Sequence, residues 1–292
     1  MKIKKNNIGL IKQALPLDQG GYSLIELLIA MMIGLFLLLG IGSAYLNSIK
    51  GQITRDQYSL LQDNARLVLD SMTKVIEHTG YQADRIMLED KFITGAVPNN
   101  ACIANNTLLN SAFGTTRDDD TGNRFTGDRI GIVYLGSTKF NSDCGGVVNA
   151  LPACQVGHQA FKKSGNTVDL ARIYNAFYID NTDGHGELKC IGSLAKGEHI
   201  IADNIENMQI TYGIDTNGDG VVNRYADATS IASGDWNTPI SVQIAVLVKS
   251  KKKVKNQAEK KSYDLLGIVI TPPKDKFYRA VFKTTVWLRN NT

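Results

Sequence analysis

The sequence predicts an α+β protein in which one long N-terminal helix packs on an antiparallel β-sheet head with loop-rich insertions. Three observations predict it. From Leu27 to Ile49 the chain runs for 23 residues without a charge, just after a basic leader. A second helical pattern follows directly. Beyond residue 128 come runs of β-branched and aromatic residues separated by turn clusters.

The uncharged run covers ~35 Å of helix at ~1.5 Å per residue, enough to cross a hydrocarbon core of ~30 Å. Glu26 stands at its mouth, where an ionisable group costs ~2.5–3.5 kcal/mol at full membrane depth. Such a group asks for a cation. A cut after Gly21 would create one, because Tyr22 would then carry a new α-ammonium close to Glu26. An ordinary secretory signal would use a small-residue site such as Gly42-Ser43-Ala44 and release a chain starting at Tyr45. That alternative leaves Gly20-Gly21 and Glu26 unexplained, and so does a plain uncleaved anchor.

After Lys50 and Gly51, apolar residues at Ile53, Leu60, Leu61, Leu67, Val68, Met72, Val75 and Ile76 recur near the helical period. Asp56, Asp63, Arg66, Asp70 and Lys74 occupy other faces, and the pattern stops at Thr79-Gly80, where glycine suits a helix end. One helix of roughly 50 residues is expected, its first half in the membrane and its second half on the head. From Tyr81 to Asp128 the sequence reads as irregular surface covering, with one short helix near Asn106 to Phe113. Strands are expected at Arg129–Leu135, Val168–Ile179, Glu187–Ile191, Asn207–Ile214, Ile240–Val248, Tyr263–Ile270 and Phe277–Leu288. Asn181-Thr182-Asp183-Gly184 and Asn217-Gly218-Asp219-Gly220 are turn clusters between them. The chain therefore divides into a leader at 1–21, a membrane half-helix at 22–49 and a head at 50–292.

The formal charge of +4 belongs mostly to the leader, where Lys2, Lys4, Lys5 and Lys12 oppose Asp18 alone. That places the leader on the cytoplasmic side and the head on the far side of the membrane, and nucleic acid is not an expected partner. The exported part holds Cys102, Cys144, Cys154 and Cys190. In an oxidising compartment they read as two disulfides with three connectivities. Cys144–Cys190 with Cys102–Cys154 is the preferred set, because Cys144 follows one strand and Cys190 sits in another. The local bridge Cys144–Cys154 is its competitor.

Gly21 followed by Tyr22-Ser23-Leu24-Ile25-Glu26 and then Leu-Leu-Ile-Ala-Met-Met-Ile-Gly-Leu resembles the class III signal of type IV pilins and type II secretion pseudopilins. The resemblance implies that a prepilin peptidase cuts after Gly21 and methylates Tyr22, and that Glu26 serves filament assembly. Most members have Phe or Met first, so Tyr22 is a mild departure. A narrower resemblance is carried by Asp63-Asn64-Ala65-Arg66-Leu67-Val68-Leu69-Asp70, Thr79-Gly80-Tyr81, Gly127-Asp128-Arg129-Ile130, Asp143-Cys144, Leu188-Lys189-Cys190, Asn204-Ile205-Glu206 and Tyr212-Gly213-Ile214-Asp215. Together these resemble the PilW minor pilins. They imply a structural subunit that helps prime the pilus near its tip, held in the inner membrane before assembly. Its implied partners are other minor and major pilins, the peptidase and a large tip adhesin. The J-type pseudopilin and an adhesive or DNA-uptake head are the rival readings.

Asp215-Thr216-Asn217-Gly218-Asp219-Gly220 fits the first half of a Ca2+ loop, with Asp215, Asn217 and Asp219 at alternate positions. Ala226 stands where a closing carboxylate belongs and Asp227 comes one place late. A hairpin turn explains the same residues and is the favoured reading. Lys249, Lys251, Lys252, Lys253, Lys255, Lys260 and Lys261 read as a solvated hairpin loop. No enzyme is expected. His78, His158, His185 and His199 lack metal spacing, and neither a nucleophile elbow nor a phosphate loop occurs.

Overall fold

The computed structural model describes residues 21–81, 91–94, 115, 127–136, 142–146, 161–163, 166–168, 171–181, 185–193 and 197–290. The chain divides into two compact units, Met1–Gln52 and Ile53–Thr292. One helix, α1 (Leu24–Ile76), runs through the boundary.

Within the second unit, α1 buries Gln57, Leu61, Ala65, Val68, Met72 and Ile76. Steps of three and four residues keep these side chains on one stripe. Ile53, Leu60 and Leu67, expected among the apolar positions, are exposed instead. Gln57 replaces an apolar residue in the stripe because its Oε1 accepts the backbone N–H of Lys252 at 2.7 Å. A buried acceptor satisfied in this way costs little and fixes the helix against one strand. The helix stops as expected: Gly80 takes φ 71° and donates its N–H to Val133 O at 3.0 Å.

The described strands are β1 (Ile130–Gly136), β2 (Phe161–Lys163), β3 (Asn166–Val168), β4 (Ala171–Asp180), β5 (Glu187–Gly192) and β6 (His199–Asp203), then β7 (Ile205–Ile214), β8 (Arg224–Ala226), β9 (Pro239–Lys253), β10 (Tyr263–Leu265), β11 (Ile268–Ile270) and β12 (Phe277–Trp287). They form two four-stranded antiparallel sheets, ordered β1-β4-β5-β6 and β12-β9-β7-β8, and two hairpins, β2-β3 and β10-β11. The chain passes from the first sheet to the second at Asn204, whose φ of 60° suits the local hydrogen bonding of asparagine. The main core joins the helix stripe to both sheets, including Ile130, Phe177, Leu188, Met208, Ile210, Val242, Ile244 and Val246. Phe92, Tyr212 and Trp236 close one end, with ring centroids 5.1–5.5 Å apart. On the other face of the second sheet, Ala245 and Leu247 pack under β10 and β11.

The fold is the α+β arrangement that the patterning predicts. Four local expectations are corrected. The Tyr263–Ile270 run is a hairpin, turning at Leu266-Gly267, where Asp264 Oδ1 accepts the Gly267 N–H at 3.0 Å. Strand β9 extends five residues past Val248, so Lys249 to Lys253 belong to a strand end. The Val168–Ile179 run is two segments, the end of β3 and most of β4. Strands β2, β6 and β8 go beyond the expected set. The expected helix near Asn106 to Phe113 and the tip of the turn at 182–184 lie outside the described residues.

Candidate functional site

Gly21, Tyr22 and Ser23 precede the helix, and Ser23 O accepts the N–H groups of Glu26 at 3.0 Å and Leu27 at 3.2 Å. Ser23 is therefore the cap residue, and Ser23-Leu24-Ile25-Glu26 has the Ser-x-x-Glu spacing of a capping box. Glu26 lies in the first turn, where a negative charge meets the positive end of the helix dipole. Sequence reasoning gave Glu26 an intermolecular role and missed this local one, although the spacing was legible. Along the same segment the large apolar side chains face outward, with Tyr22 87%, Phe36 82% and Leu39 70% exposed. A continuous apolar surface of that kind is stable only against lipid or other apolar helices. The helix is long and apolar enough to cross a membrane.

The first sheet holds a covalent tie between described residues. Cys144 is bonded to Cys190 of β5, with Cα atoms 6.2 Å apart. The loop that presents Cys144 is packed onto the sheet: the Cys144 N–H donates to Asn175 Oδ1 at 2.7 Å, and Asp143 lies against Gly192. A Cβ at Gly192 would come within 2.1 Å of Asp143 Oδ2. Tyr134 donates its hydroxyl to Ser142 O in the same loop. Burial pushes the Tyr134 phenol up to about 12, and the nearby Asp143 adds to it, outweighing the Asn175 hydrogen bond. Cys102 and Cys154 lie outside the described residues.

The Asp215 loop joins β7 to β8, which are antiparallel partners, so it is the turn of a hairpin. Asp215 Oδ1 accepts the N–H groups of Asn217 (3.1 Å) and Gly218 (2.7 Å), and Oδ2 accepts that of Gly220 (2.8 Å). These backbone donors, Gly220 first, hold the exposed Asp215 carboxyl below its ordinary value. Asp219 is engaged by Asn217 Nδ2 at 2.9 Å and by the Val221 N–H at 2.8 Å. Asp227, weighed from sequence as a late closing ligand, instead caps a 3₁₀ turn at Ala228–Ser230 and accepts the Ser230 N–H at 2.8 Å. Among the described residues no three His, Cys, Asp or Glu side chains converge on a metal-sized point.

The lysine-rich segment corrects the solvated-loop reading at Lys249, while Lys251, Lys252 and Lys253 are exposed at the end of β9. Lys249 is buried, with Nζ 3.4 Å from Glu206 Oε1 and 5.1 Å from the centre of the Phe277 ring. Glu206 also meets Arg279 through Nε at 2.5 Å and Nη2 at 3.0 Å, and Arg279 reaches Asp275 through Nη1 and Nη2 at 2.7 Å each. Burial lowers the affinity of Arg279 for its proton, yet the carboxylates of Asp275 and Glu206 outweigh it and raise the pKa. The result is a buried cluster of two cations and two carboxylates joining β7, β9 and β12. Sequence reasoning missed it because its members come from different strands, with Glu206 and Arg279 73 residues apart. Farther along, Lys255 pairs with Glu259 at 2.8 Å.

Residues 176–290 match the family described as Type IV Pilus-assembly protein W, and residues 17–42 match the prokaryotic N-terminal methylation motif. Over these two stretches the chain resembles the PilW pilins. The first match runs from β4 to just past β12 and takes in Cys190, the Asp215 hairpin and the buried ion cluster; the second covers Gly21, Tyr22 and Glu26. A solved structure similar to it is a type IV-like pilin from Thermus thermophilus, at 12% identity over 79% of this chain and 97% of that one, with a TM-score of 0.37. No curated protein matches the sequence. A methylation motif ahead of a PilW domain fits a membrane-anchored structural subunit of a pilus. It implies handling by a prepilin peptidase and contact with other pilins.

Proposed function

We propose that this pilin is a minor subunit that helps prime the type IV pilus and sits with other minor pilins near the tip. The observation that carries the reading is the methylation motif at residues 17–42 in the same chain as the PilW match at residues 176–290. Residues 1–21 are the leader, removed by the peptidase after Gly21, and Tyr22 becomes the methylated terminus. Residues 22–49 hold the chain in the inner membrane until assembly, and residues 50–292 form the head beyond it. In the fibre Glu26 pairs with the terminal ammonium of a neighbouring subunit. Two charges leave water together, and the pairing offsets desolvation while fixing the axial register between helices. Before that partner arrives, the helix N-terminus itself is the charge complement to Glu26.

The experiment is Glu26→Val in cells lacking the native chain. Cleavage and membrane insertion should persist, because Gly21 and the apolar run are untouched. Recovery of the variant in sheared pili, and the number of pili per cell, should fall sharply. Pili of normal number that contain the variant would remove the assembly role from Glu26. Co-purification of the native chain with secretion pseudopilins in place of pilus subunits would transfer the protein to the secretion system.

A further inference from the structure

Lysines from two segments gather at one end of the second sheet. The N–H groups of Val254 and Lys255 both donate to Lys276 O at 3.0 Å, and that of Glu259 donates to Asp275 O at 2.9 Å. Residues 250–262 and 271–277 therefore lie side by side, and Lys252, Lys253, Lys260, Lys261, Lys274 and Lys276 are all exposed. The carboxylates around them already have cations of their own. Asp203 meets Lys251 at 3.7 Å, Glu259 meets Lys255 at 2.8 Å, and Glu206 and Asp275 are held by Lys249 and Arg279. On the neighbouring hairpin Asp264 faces Lys283 at 3.4 Å. The helix adds Lys50, Arg55 and Arg66 against Asp56 and Asp63, so it does not reverse the sign. Among the described residues no carboxylate forms an ion pair with the six exposed lysines.

This end of the sheet is fastened to the first turns of helix in the head. Gln57 Oε1 accepts the Lys252 N–H at 2.7 Å, and the rings of Tyr58 and Tyr278 meet edge-on with centroids 5.4 Å apart. Gln57 stands eight residues past Ile49, the last residue of the uncharged run. Along α1 that is ~12 Å at ~1.5 Å per residue. The headgroup layer on each side of a bilayer occupies ~5–8 Å of it. What remains is shorter than the Debye length of ~8 Å at physiological salt, so charges at this strand end and on the lipid are not screened from each other.

The chemistry of the cluster suits a lipid surface better than other anions. Its exposed cations are all lysines, which attract phosphates as point charges and lack the planar fork that grips single carboxylates. The rings nearby are covered: Phe277 lies beneath Lys249 and Lys253, Tyr278 beneath Lys255 and Tyr263 beneath Lys261. They are not open platforms on which the bases of a nucleic acid could stack. We propose that this lysine cluster docks the head on anionic phospholipid of the leaflet from which α1 emerges. The inference rests on the reading of residues 22–49 as a membrane span. It adds a second, salt-sensitive attachment, which must be released when the subunit leaves the membrane.

The test places the purified full chain in lipid nanodiscs of phosphatidylcholine alone or of an equal mixture with phosphatidylglycerol. Lysine acetylation by an uncharged reagent is then followed residue by residue with mass spectrometry. The six lysines should label about fivefold more slowly in the anionic discs, and high salt should remove the difference. Lys74, in the last turn of α1 and paired with Asp70, is the control and should label alike in both. Replacing four exposed residues together, Lys252→Gln, Lys253→Gln, Lys260→Gln and Lys261→Gln, should abolish the protection of Lys274 and Lys276. Equal labelling in the two discs, or protection that survives the four substitutions, would overturn the proposal and leave the membrane span standing. A chain that incorporates into neither disc would overturn both. Protection of the same lysines by duplex DNA or purified pili in neutral discs, with none from anionic lipid, would overturn the proposal in favour of that partner.

Discussion

Replacing Arg279 by methionine tests whether the buried ion cluster holds the head together. Arg279 and Glu206 side chains are 5% and 1% exposed, and two of their contacts are 2.5 and 3.0 Å long. At ~3 Å and an effective dielectric of ~20, each opposite-charge contact is worth ~5 kcal/mol before desolvation, which removes several kcal/mol per ion. The intact cluster therefore contributes little net energy, while the single substitution leaves Glu206 charged and buried. Breaking such a pair costs ~3–5 kcal/mol. Lys249, 3.4 Å from Glu206, remains as a partial partner and places the expected loss near ~3 kcal/mol. That is a large share of the ~5–15 kcal/mol that a whole domain has. Adding Glu206→Met should recover at least ~1.5 kcal/mol of the loss, as expected for directly coupled groups. The assay is denaturant unfolding of the full chain in detergent, followed by circular dichroism. A loss below ~1 kcal/mol for Arg279→Met, or no recovery in the double variant, would refute the cluster as an energetic unit. Acid gives an independent readout. Burial raises the Asp275 carboxyl, but its bonds to Arg279 and the Phe277 N–H outweigh that and hold it below 3.8. Its stabilising effect is therefore complete above the ordinary carboxylate value and is lost as pH falls through the lower folded value.

Three further outcomes are expected. Reducing the Cys144–Cys190 bridge, or replacing either residue by serine, frees a loop of 46 residues and should cost about 4 kcal/mol on the chain-entropy scale; non-reducing peptide mapping should recover the 144/190 pair, and a 144/154 peptide would contradict it. Gly186→Ala should lower the melting temperature strongly, because a Cβ would come within 2.0 Å of the backbone oxygen of Ile205, worth ~1–3 kcal/mol of strain; unchanged melting would show that the β5–β7 approach is looser than the structure has it. Millimolar calcium against EDTA should leave the melting temperature unchanged, since backbone donors occupy Asp215 and Asp227 caps its own turn; a shift abolished by Asp215→Ala with Asp219→Ala would reinstate the calcium loop.

The helix and the sheet class were legible because periodicity is a local signal. Leu61, Val68, Met72 and Ile76 mark most of the buried stripe, and Gly80 ends the helix. What escaped is what depends on register or distance. Strand β8 has three residues, too few to show alternation, and β6 lies between short polar stretches. Tyr263 to Ile270 looks like one strand because Leu266 is apolar, although it takes φ 54° inside a turn. Lys249 looked solvated because its partner Glu206 sits on another strand. The site behaved the same way. Gly21, Tyr22 and Glu26 could be picked out in a single window, whereas the Glu206, Lys249 and Arg279 cluster exists only once three strands are in register.

The proposed role requires that the chain be cut after Gly21 and built into pili through the segment that follows. The most direct measurement is mass spectrometry of the chain recovered from sheared, purified pili. The N-terminal peptide should begin at methylated Tyr22 and contain Glu26. A chain recovered from the cell beginning at Tyr45, or a full-length chain found in membranes and absent from pili, would contradict it.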